Sequence, residues 1–421
     1  MERTWGVHSA RINLGRVLGT AAFAATLAAC AQPETAPDPA PNGDVATAPL
    51  PPNAGPPPGA EASPAVTAGP AERALLPRPQ RGRMLDAVRQ DAECQHCHPD
   101  EAEDQRRSFH RRAAVDPAYR AAFAIEPSPF CEGCHAPEAA LTKEIVAAAQ
   151  NSPAPAAAIE EAIPAPVLAM GVGCVTCHVT DDGEILAAPR KDGSPGQAPS
   201  RAHAVRRSPG FARTGGCVGC HEFPFPRGSI ATGDGDFMQT TAREHARSKG
   251  AERACADCHM PLVRGRRSHA FAEVRDPAWL QKQLRATAAR AGEGTLRITL
   301  VQSDPGHAFP TGDLFRRLAV GCEVRSPRGE ILARDVRYPR RHLDATRGLF
   351  GRVLTADDRV FDAPVEIDLD VSDAGERGSG GGAKVRWWVI YQRVATAFEG
   401  PKPEEAKVES EVMLHRGEMA W

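Results

Sequence analysis

Ten of the 12 cysteines fall into five identical frames, and each frame is closed by a histidine. They are Cys94-Gln95-His96-Cys97-His98, Cys131-Glu132-Gly133-Cys134-His135, Cys174-Val175-Thr176-Cys177-His178, Cys217-Val218-Gly219-Cys220-His221 and Cys255-Ala256-Asp257-Cys258-His259. Only Cys30 and Cys322 stand outside them. The steps between first cysteines are 37, 43, 43 and 38 residues, and the intervening text does not repeat. Histidine makes up 14 of 421 residues, about 0.033, so five chance histidines at these positions have odds of roughly 4 × 10⁻⁸.

The spacing has a chemical reason. Two thiols three residues apart reach the two vinyl groups of one haem and form thioethers, and the next residue lies under the iron as axial ligand. Zinc sites also use Cys-x-x-Cys, but nothing in them requires histidine after each pair. Thioredoxin-like pairs need a βαβ setting that these frames lack, and fixed frames make an odd disulfide framework. The expectation is five covalent c-type haems, held by Cys94, Cys97, Cys131, Cys134, Cys174, Cys177, Cys217, Cys220, Cys255 and Cys258. Their proximal ligands are His98, His135, His178, His221 and His259. The set runs only from Cys94 to His259, too short a stretch to bury each haem in a domain of its own. The haems are expected to pack on one another and to supply the interior that 5% aromatic residues cannot. The fold expected for 81–275 is α plus irregular, with short helices after the histidines and one helix over Pro137–Gln150.

Positions 1–29 read as an export signal. Arg3, Arg11 and Arg16 precede a small apolar run, Val17 to Ala29, shorter than the roughly 20 residues of a membrane span. The run ends Leu27-Ala28-Ala29-Cys30, which resembles the bacterial lipoprotein box. That resemblance implies cleavage before Cys30 and diacylglycerol on its sulfur, and Ala31 after it points to the outer membrane. The bland alternative is a plain secretory signal. Positions 30–80 read as a tether: 14 of the 38 prolines lie between Ala31 and Gln80, and no apolar period survives. Such a length spans roughly 40 Å as coil and about 150 Å as polyproline helix.

Charged residues are 25%, the formal charge is -2 and the mean hydropathy is -0.37, which excludes a polytopic membrane protein and a basic nucleic-acid binder. Two readings of the arginine clusters Arg106-Arg107, Arg111-Arg112, Arg206-Arg207 and Arg264 to Arg267 stand side by side. They pair with haem propionates, or they form a solvated face.

Ser108-Phe109-His110-Arg111-Arg112-Ala113 resembles the Ser-x-His-x-x-Ala signature of the multihaem cytochrome superfamily, which holds tetrahaem electron carriers, hydroxylamine oxidoreductases and pentahaem nitrite reductases. Cys255 to Pro261 with Ser268-His269-Ala270-Phe271 is similar to its late haem region, and Gly306-His307-Ala308-Phe309-Pro310-Thr311-Gly312 to a downstream segment. The resemblance covers about Cys94 to Gly312. It implies His110, His269 and His307 as distal ligands, with His203 plausible and His245 weaker. All five frames end in histidine, unlike the Cys-x-x-Cys-Lys frame of the nitrite reductases, and no tyrosine stands where the hydroxylamine oxidoreductases carry their cross-link. Both departures favour electron transfer over catalysis.

Asp276-Pro277 opens an expected connecting helix over 276–292. The period then changes to two over Leu296–Leu300, Leu318–Val324, Val365–Val371, Val385–Val394 and Val408–Leu414. An all-β antiparallel sandwich is expected over 293–421, with Cys322 a buried, inert residue. The functional expectation is an exported, lipid-anchored pentahaem cytochrome at the outer membrane, facing the periplasm or cell surface. It would exchange electrons with a membrane or periplasmic donor and an acceptor, with no nucleic-acid partner. An oxidoreductase acting on a small nitrogen or sulfur species at one open haem is the alternative, and a structural subunit of a cytochrome complex is the third class.

Overall fold

A single helical turn puts residues i, i+3 and i+4 on one face, and each Cys-x-x-Cys-His frame takes that form. The computed structural model describes residues 75–189, 203–225, 234–271, 276–343, 354–375, 382–395 and 402–421. The signal, Cys30 and most of the proline-rich stretch lie outside the described residues. The first frame closes helix Met84–Cys97, with the His98 N–H donating to the Cys94 carbonyl. The others lie within Pro129–His135, Cys174–His178, Gly215–His221 and Cys255–His259. Of the helices expected after the histidines, only one follows its frame directly, Pro99–Arg107 after the first. Helices here are short because prolines open them and local caps fix their starts, as where the Asp116 carboxylate accepts from the Ala118 and Tyr119 N–H groups.

Two expected boundaries move. The helix placed over Pro137–Gln150 begins only at Lys143, where the Thr142 hydroxyl accepts from Ile145 N–H. The preceding residues are spent elsewhere. The Pro137 carbonyl accepts from Arg81 and Gly82, and the fully buried Glu138 carboxylate takes Arg83 at 2.6 Å and the Thr176 hydroxyl at 2.9 Å. The tether read through Gln80 also ends earlier. Leu76 is buried, and Gln80 N–H donates to the Gly133 carbonyl. Glycine inside the fourth frame makes room for this strap: a Cβ on Gly219 would stand 2.3 Å from the Pro77 carbonyl oxygen.

Small two-stranded pairings punctuate the frame region: β1 (Leu186–Ala187) with β2 (Arg206–Arg207), β3 (Glu222–Pro224) with β4 (Phe237–Thr240), and β5 (Leu262–Val263) with β6 (Arg266–Arg267). The C-terminal region holds larger antiparallel sheets. In one, β7 (Leu284–Gly292) pairs with β8 (Thr295–Gln302), which pairs with β13 (Val365–Asp370). In the other, the order is β10 (Ile331–Arg337), β9 (Arg316–Arg325), β14 (Lys384–Val394), β15 (Val408–Ala420). A short pair, β11 (Arg341–Leu343) and β12 (Leu354–Asp357), lies apart from them. One apolar core draws on both large sheets. Leu296, Ile298 and Leu300 come from β8, Ile367 and Leu369 from β13, Leu318, Val320, Cys322 and Val324 from β9, and Val385 and Val389 from β14. Cys322 is fully buried there.

The connecting helix over 276–292 is corrected. The helix runs only Pro277–Gln283, capped by Asp276, and Leu284–Gly292 is strand β7. The alanine-rich text reads as helix by propensity, but propensity is a weak prior. Paired with β8, Leu284, Ala286 and Ala288 alternate toward the core while Arg285 and Ala289 face out. Strand β10 is absent from the expected set. Its outward residues and the exposed Ile331 blur the alternation.

The sheets and the frame helices belong to one compact unit. Among the described residues, no helix is long and apolar enough to cross a membrane. Ile298 is fully enclosed between the sheets. Ile298→Ala is therefore expected to lower unfolding stability by about 2–5 kcal/mol, read as a lower urea midpoint at unchanged slope.

Candidate functional site

One partly open cavity of 2490 Å³ is lined by all ten frame cysteines, all five frame histidines and His110, His203, His245, His269 and His307. That is more than twice the roughly 1,000 Å³ upper end of ordinary ligand pockets. Among the described residues no group of three or more His, Cys, Asp or Glu converges as a bare metal ion would require. The donors come in opposed pairs instead. His98 faces His203 with ring centres 6.2 Å apart, His221 faces His110 at 5.9 Å, His178 faces His269 at 6.2 Å and His259 faces His307 at 6.1 Å. Two imidazoles bound through nitrogen to one metal ion, at about 2.0–2.1 Å each, have centres about 6.3 Å apart. Four pairs therefore stand at the spacing of a shared iron.

Each pair joins a frame to a distant segment, so sequence order does not give the pairing. His110, just after the first frame, faces the histidine of the fourth. Its loop is seated by Gly171, whose φ of +56° and close approach leave no room for a side chain: a Cβ would be 2.7 Å from the His110 carbonyl oxygen. Val172 N–H donates to that same carbonyl at 2.9 Å, and Phe271 packs edge-on to the ring at 4.3 Å.

The imidazoles are held in the state a metal needs. The Nδ1 atoms of His135, His178, His269 and His307 lie 2.8–3.0 Å from the carbonyls of Ala113, Leu186, Arg267 and Ala308. A proton donated there leaves the Nε2 lone pair for metal. Burial disfavours the charged form and pushes the pKa of His110 down to about 3 and of His259 to about 4.

Buried carboxylates fix the loops that carry His269 and His307, and sequence reasoning missed them. The Asp104 carboxylate accepts from Arg266 at 2.7 Å, from the Ser268 hydroxyl at 3.2 Å and from His269 N–H at 3.2 Å. Glu244, 3% exposed, accepts from the Thr240 and Thr311 hydroxyls at 2.5 and 2.7 Å, from Ala308 N–H at 3.2 Å and from Arg359 at 2.7 Å. In the Glu244-His245 pair, the histidine draws the eye as a ligand. His245 is buried in Thr241–Arg247 and lines the cavity, but it makes no ring contact with a frame histidine. Its neighbour Glu244 is the residue tied to the His307 loop. The one sequence signal for it is an acidic residue inside a short helix that also bears a histidine. Of the arginine clusters, Arg106, Arg107, Arg206 and Arg207 lie on a solvated face. Arg106, Arg107, Arg111, Arg206, Arg266 and Arg267 pair with carboxylates of the chain.

His135 differs from the other frame histidines. It stacks on Tyr119 with centres 3.7 Å apart and planes 7° from parallel, and among the described residues no second histidine faces it as a ligand. Neighbouring frames also meet through their cysteines: the Cys217 and Cys255 thiols lie within hydrogen-bond reach, as do Cys220 and Cys134. The donor set fits haem c: thiol pairs on one face of a turn, a neutral imidazole next in sequence, a second imidazole opposite in four cases, and a cavity of matching scale.

No family model and no curated protein sequence matches the chain. Among solved structures, the chain is similar to a penta-heme cytochrome c552 from Thermochromatium tepidum, at 18% sequence identity and a TM-score of 0.55, over 82% of this chain and 100% of that one. That likeness is one of fold. A protein from Archaeoglobus fulgidus overlaps 33% of this chain and 94% of its own length at 10% identity, with a TM-score of only 0.15, and carries no argument.

Glu244 gives a pH prediction. Arg359 and the hydroxyl donors outweigh burial and hold its carboxyl at about 2, below the 4.5 of a free glutamate. A depressed carboxyl contributes stability that is full above the unfolded pKa and is lost as pH falls through the folded one. The stability gap between the native chain and Glu244→Gln is therefore expected to be constant above about pH 5 and to shrink steadily toward pH 2. Denaturant melts of both proteins across that range check it.

Proposed function

We propose that the chain is a pentahaem c-type cytochrome that passes electrons between a donor and an acceptor protein. The observation that carries this reading is the set of four opposed histidine pairs at 5.9–6.2 Å, each with one member from a Cys-x-x-Cys-His frame. The fold likeness to a penta-heme cytochrome supports it. When bound, haem supplies one-electron chemistry at iron, and the protein sets its potential through axial ligands, burial and hydrogen bonds.

The residues of this chain have three tasks in that reading. The cysteines fix each macrocycle to a helical turn. The paired imidazoles would ligate the iron, and two histidine ligands, with no methionine, would give low potentials. The third task is to set the frames beside one another. Frames two, four and five meet at Cys134/Cys220 and Cys217/Cys255, and Asp91 in the first frame's helix accepts from Cys174 N–H at 2.6 Å to hold frame three beside frame one. The fourth frame is then the junction of the path. The β-sandwich acts as a clamp, because the loop between β8 and β9 delivers His307 to the last frame.

The same reading places the mature protein outside the cytoplasm on a lipid anchor at Cys30, at the outer membrane, with membrane or periplasmic redox partners. A second reading, chemistry on a small nitrogen or sulfur species at one haem, is favoured by a single observation: no described histidine is opposed to His135.

Two outcomes test the main reading. The intact mass of the exported protein is expected to exceed that of its mature chain by five haem masses, and a Cys255→Ser, Cys258→Ser variant by four. His307→Ala is expected to turn one low-spin haem high-spin in electron paramagnetic resonance spectra, with the other low-spin signals retained. An unchanged low-spin spectrum would remove His307 from the ligand set.

A further inference from the structure

We infer that Phe271 positions the His110 imidazole at right angles to that of His221, so that the haem of the fourth frame carries crossed axial ligands. It then differs electronically from the haem of the fifth frame, whose two imidazoles lie nearly parallel. The inference rests on the pentahaem reading and assigns a positioning residue within it.

The ring planes are the first argument. His110 and His221 stand 89° from parallel, and His259 and His307 only 15°. His98 with His203 and His178 with His269 fall between, at 51° and 37°. On one iron, these become the angles between the two ligand planes. The planes are pinned in different ways. The Nδ1 atoms of His203, His269 and His307 lie 3.0–3.4 Å from the backbone carbonyls of Ala204, Arg267 and Ala308. Among the described residues no hydrogen bond reaches the His110 ring, so packing decides its plane.

Phe271 is the second argument. Among the described residues two rings meet His110. One is His221, and the other is Phe271, edge-on at 4.3 Å with planes 72° apart. The same Phe271 ring lies 6.5 Å from His269, at 83°. It therefore stands against two cavity-lining histidines at once, the one opposed to the fourth frame and the one opposed to the third. The backbone of Phe271 has a φ of +52°. A residue with a Cβ rarely adopts that left-handed conformation, which persists only where the surroundings impose it. Here both sides of the contact are held. The Asp104 carboxylate accepts from the Ser268 hydroxyl and from His269 N–H, and the Ser268 hydroxyl accepts from Ala270 N–H at 3.3 Å. Across from them, Val172 N–H holds the His110 carbonyl and Gly171 packs against it. The freedom left to His110 is rotation of its ring, and the Phe271 edge limits that rotation.

The chemistry of the ring angle supplies the readout. An axial imidazole donates π density to iron at right angles to its own plane. Parallel rings act on the same iron d orbital and split it from its partner. Crossed rings act on one orbital each and leave the two nearly equal in energy. A low-spin ferric ion with such a pair keeps orbital angular momentum, so its electron paramagnetic resonance signal is strongly anisotropic. Its largest g value lies well above that of a parallel pair.

The experiment uses the oxidised holoprotein. Its spectrum is expected to hold one strongly anisotropic low-spin signal beside more rhombic ones. His110→Ala is expected to delete that signal and to add one high-spin haem. Phe271→Gly removes the ring and suits the positive φ, so the loop keeps its path. This variant is expected to shift the anisotropic signal to a lower largest g value, with the other low-spin signals and the five haem masses retained. Phe271→Tyr keeps the ring and is expected to keep the signal. A native spectrum with no strongly anisotropic signal would overturn the crossed pair. Survival of the signal in His110→Ala would put it at another frame and overturn the inference as well. An unchanged signal in Phe271→Gly, or loss of haem mass and of several signals together, would overturn the positioning role of Phe271. A native intact mass without covalent haem would overturn the pentahaem reading itself, and this inference with it.

Discussion

Pairs of imidazole rings facing one another with centres 5.9 to 6.2 Å apart are the constraint from which the rest of this structure follows. Aromatic rings also meet at such distances, but here one ring of each pair closes a Cys-x-x-Cys-His frame, and the spacing is that of two imidazoles on one iron. The two members of each pair come from segments far apart in the chain, with His259 and His307 the nearest together and His110 and His221 the farthest. Closing such loops costs entropy that grows slowly with length, and whatever holds each pair together must outweigh it. A chain with few aromatic residues can meet that demand because its interior is organised around ligand geometry more than around apolar side chains.

Holding a ligand loop still is a separate problem, and buried carboxylates solve it here. Asp104 gathers Arg266, Ser268 and His269 N–H, and Glu244 gathers Arg359, Thr240, Thr311 and Ala308 N–H. Each spans segments distant in sequence. Asp104 ends on the backbone of His269, and Glu244 on that of Ala308, next to His307. A buried charge is tolerated only when it is paired and its lone pairs are filled, and these carboxylates meet both conditions. Such networks favour one arrangement of the loop over looser ones, which is what an axial ligand needs.

What can be read from the sequence depends on the range of the interaction. The frames are legible because a haem thioether pair is a local, covalent demand on residues i, i+3 and i+4. His110, His269 and His307 can be named from nearby motifs, and His203 from its position, but their pairing with frames cannot. His110 passes over its own frame to meet His221, held there by Gly171, a contact invisible in any short window. Period-two text locates β8, β9, β13, β14 and β15 because their apolar side chains alternate, although β9 is buried on both faces along most of its length. The same logic fails at Leu284–Gly292, where alanine hides the difference between a strand's inner face and a helix's. The carboxylates are illegible because an isolated acidic residue looks the same on a solvated surface as in a network.

The C-terminal sheets are more than a neighbour of the frame region. The loop between β8 and β9 carries His307, the start of β9 carries Arg316, and the end of β14 carries Tyr391 and Arg393. Strand β9 is paired with β14 from Arg316 to Arg325, with Arg316 opposite Arg393 and Leu318 opposite Tyr391. The two strands therefore set the spacing of Arg316, Tyr391 and Arg393 with the rigidity of a sheet ladder, where a loop would let it drift. Side chains that shape a cavity are held most precisely on rigid elements. His307 on a loop, with Arg316, Tyr391 and Arg393 on the adjoining ladder, ties the lining of the cavity to one folded core.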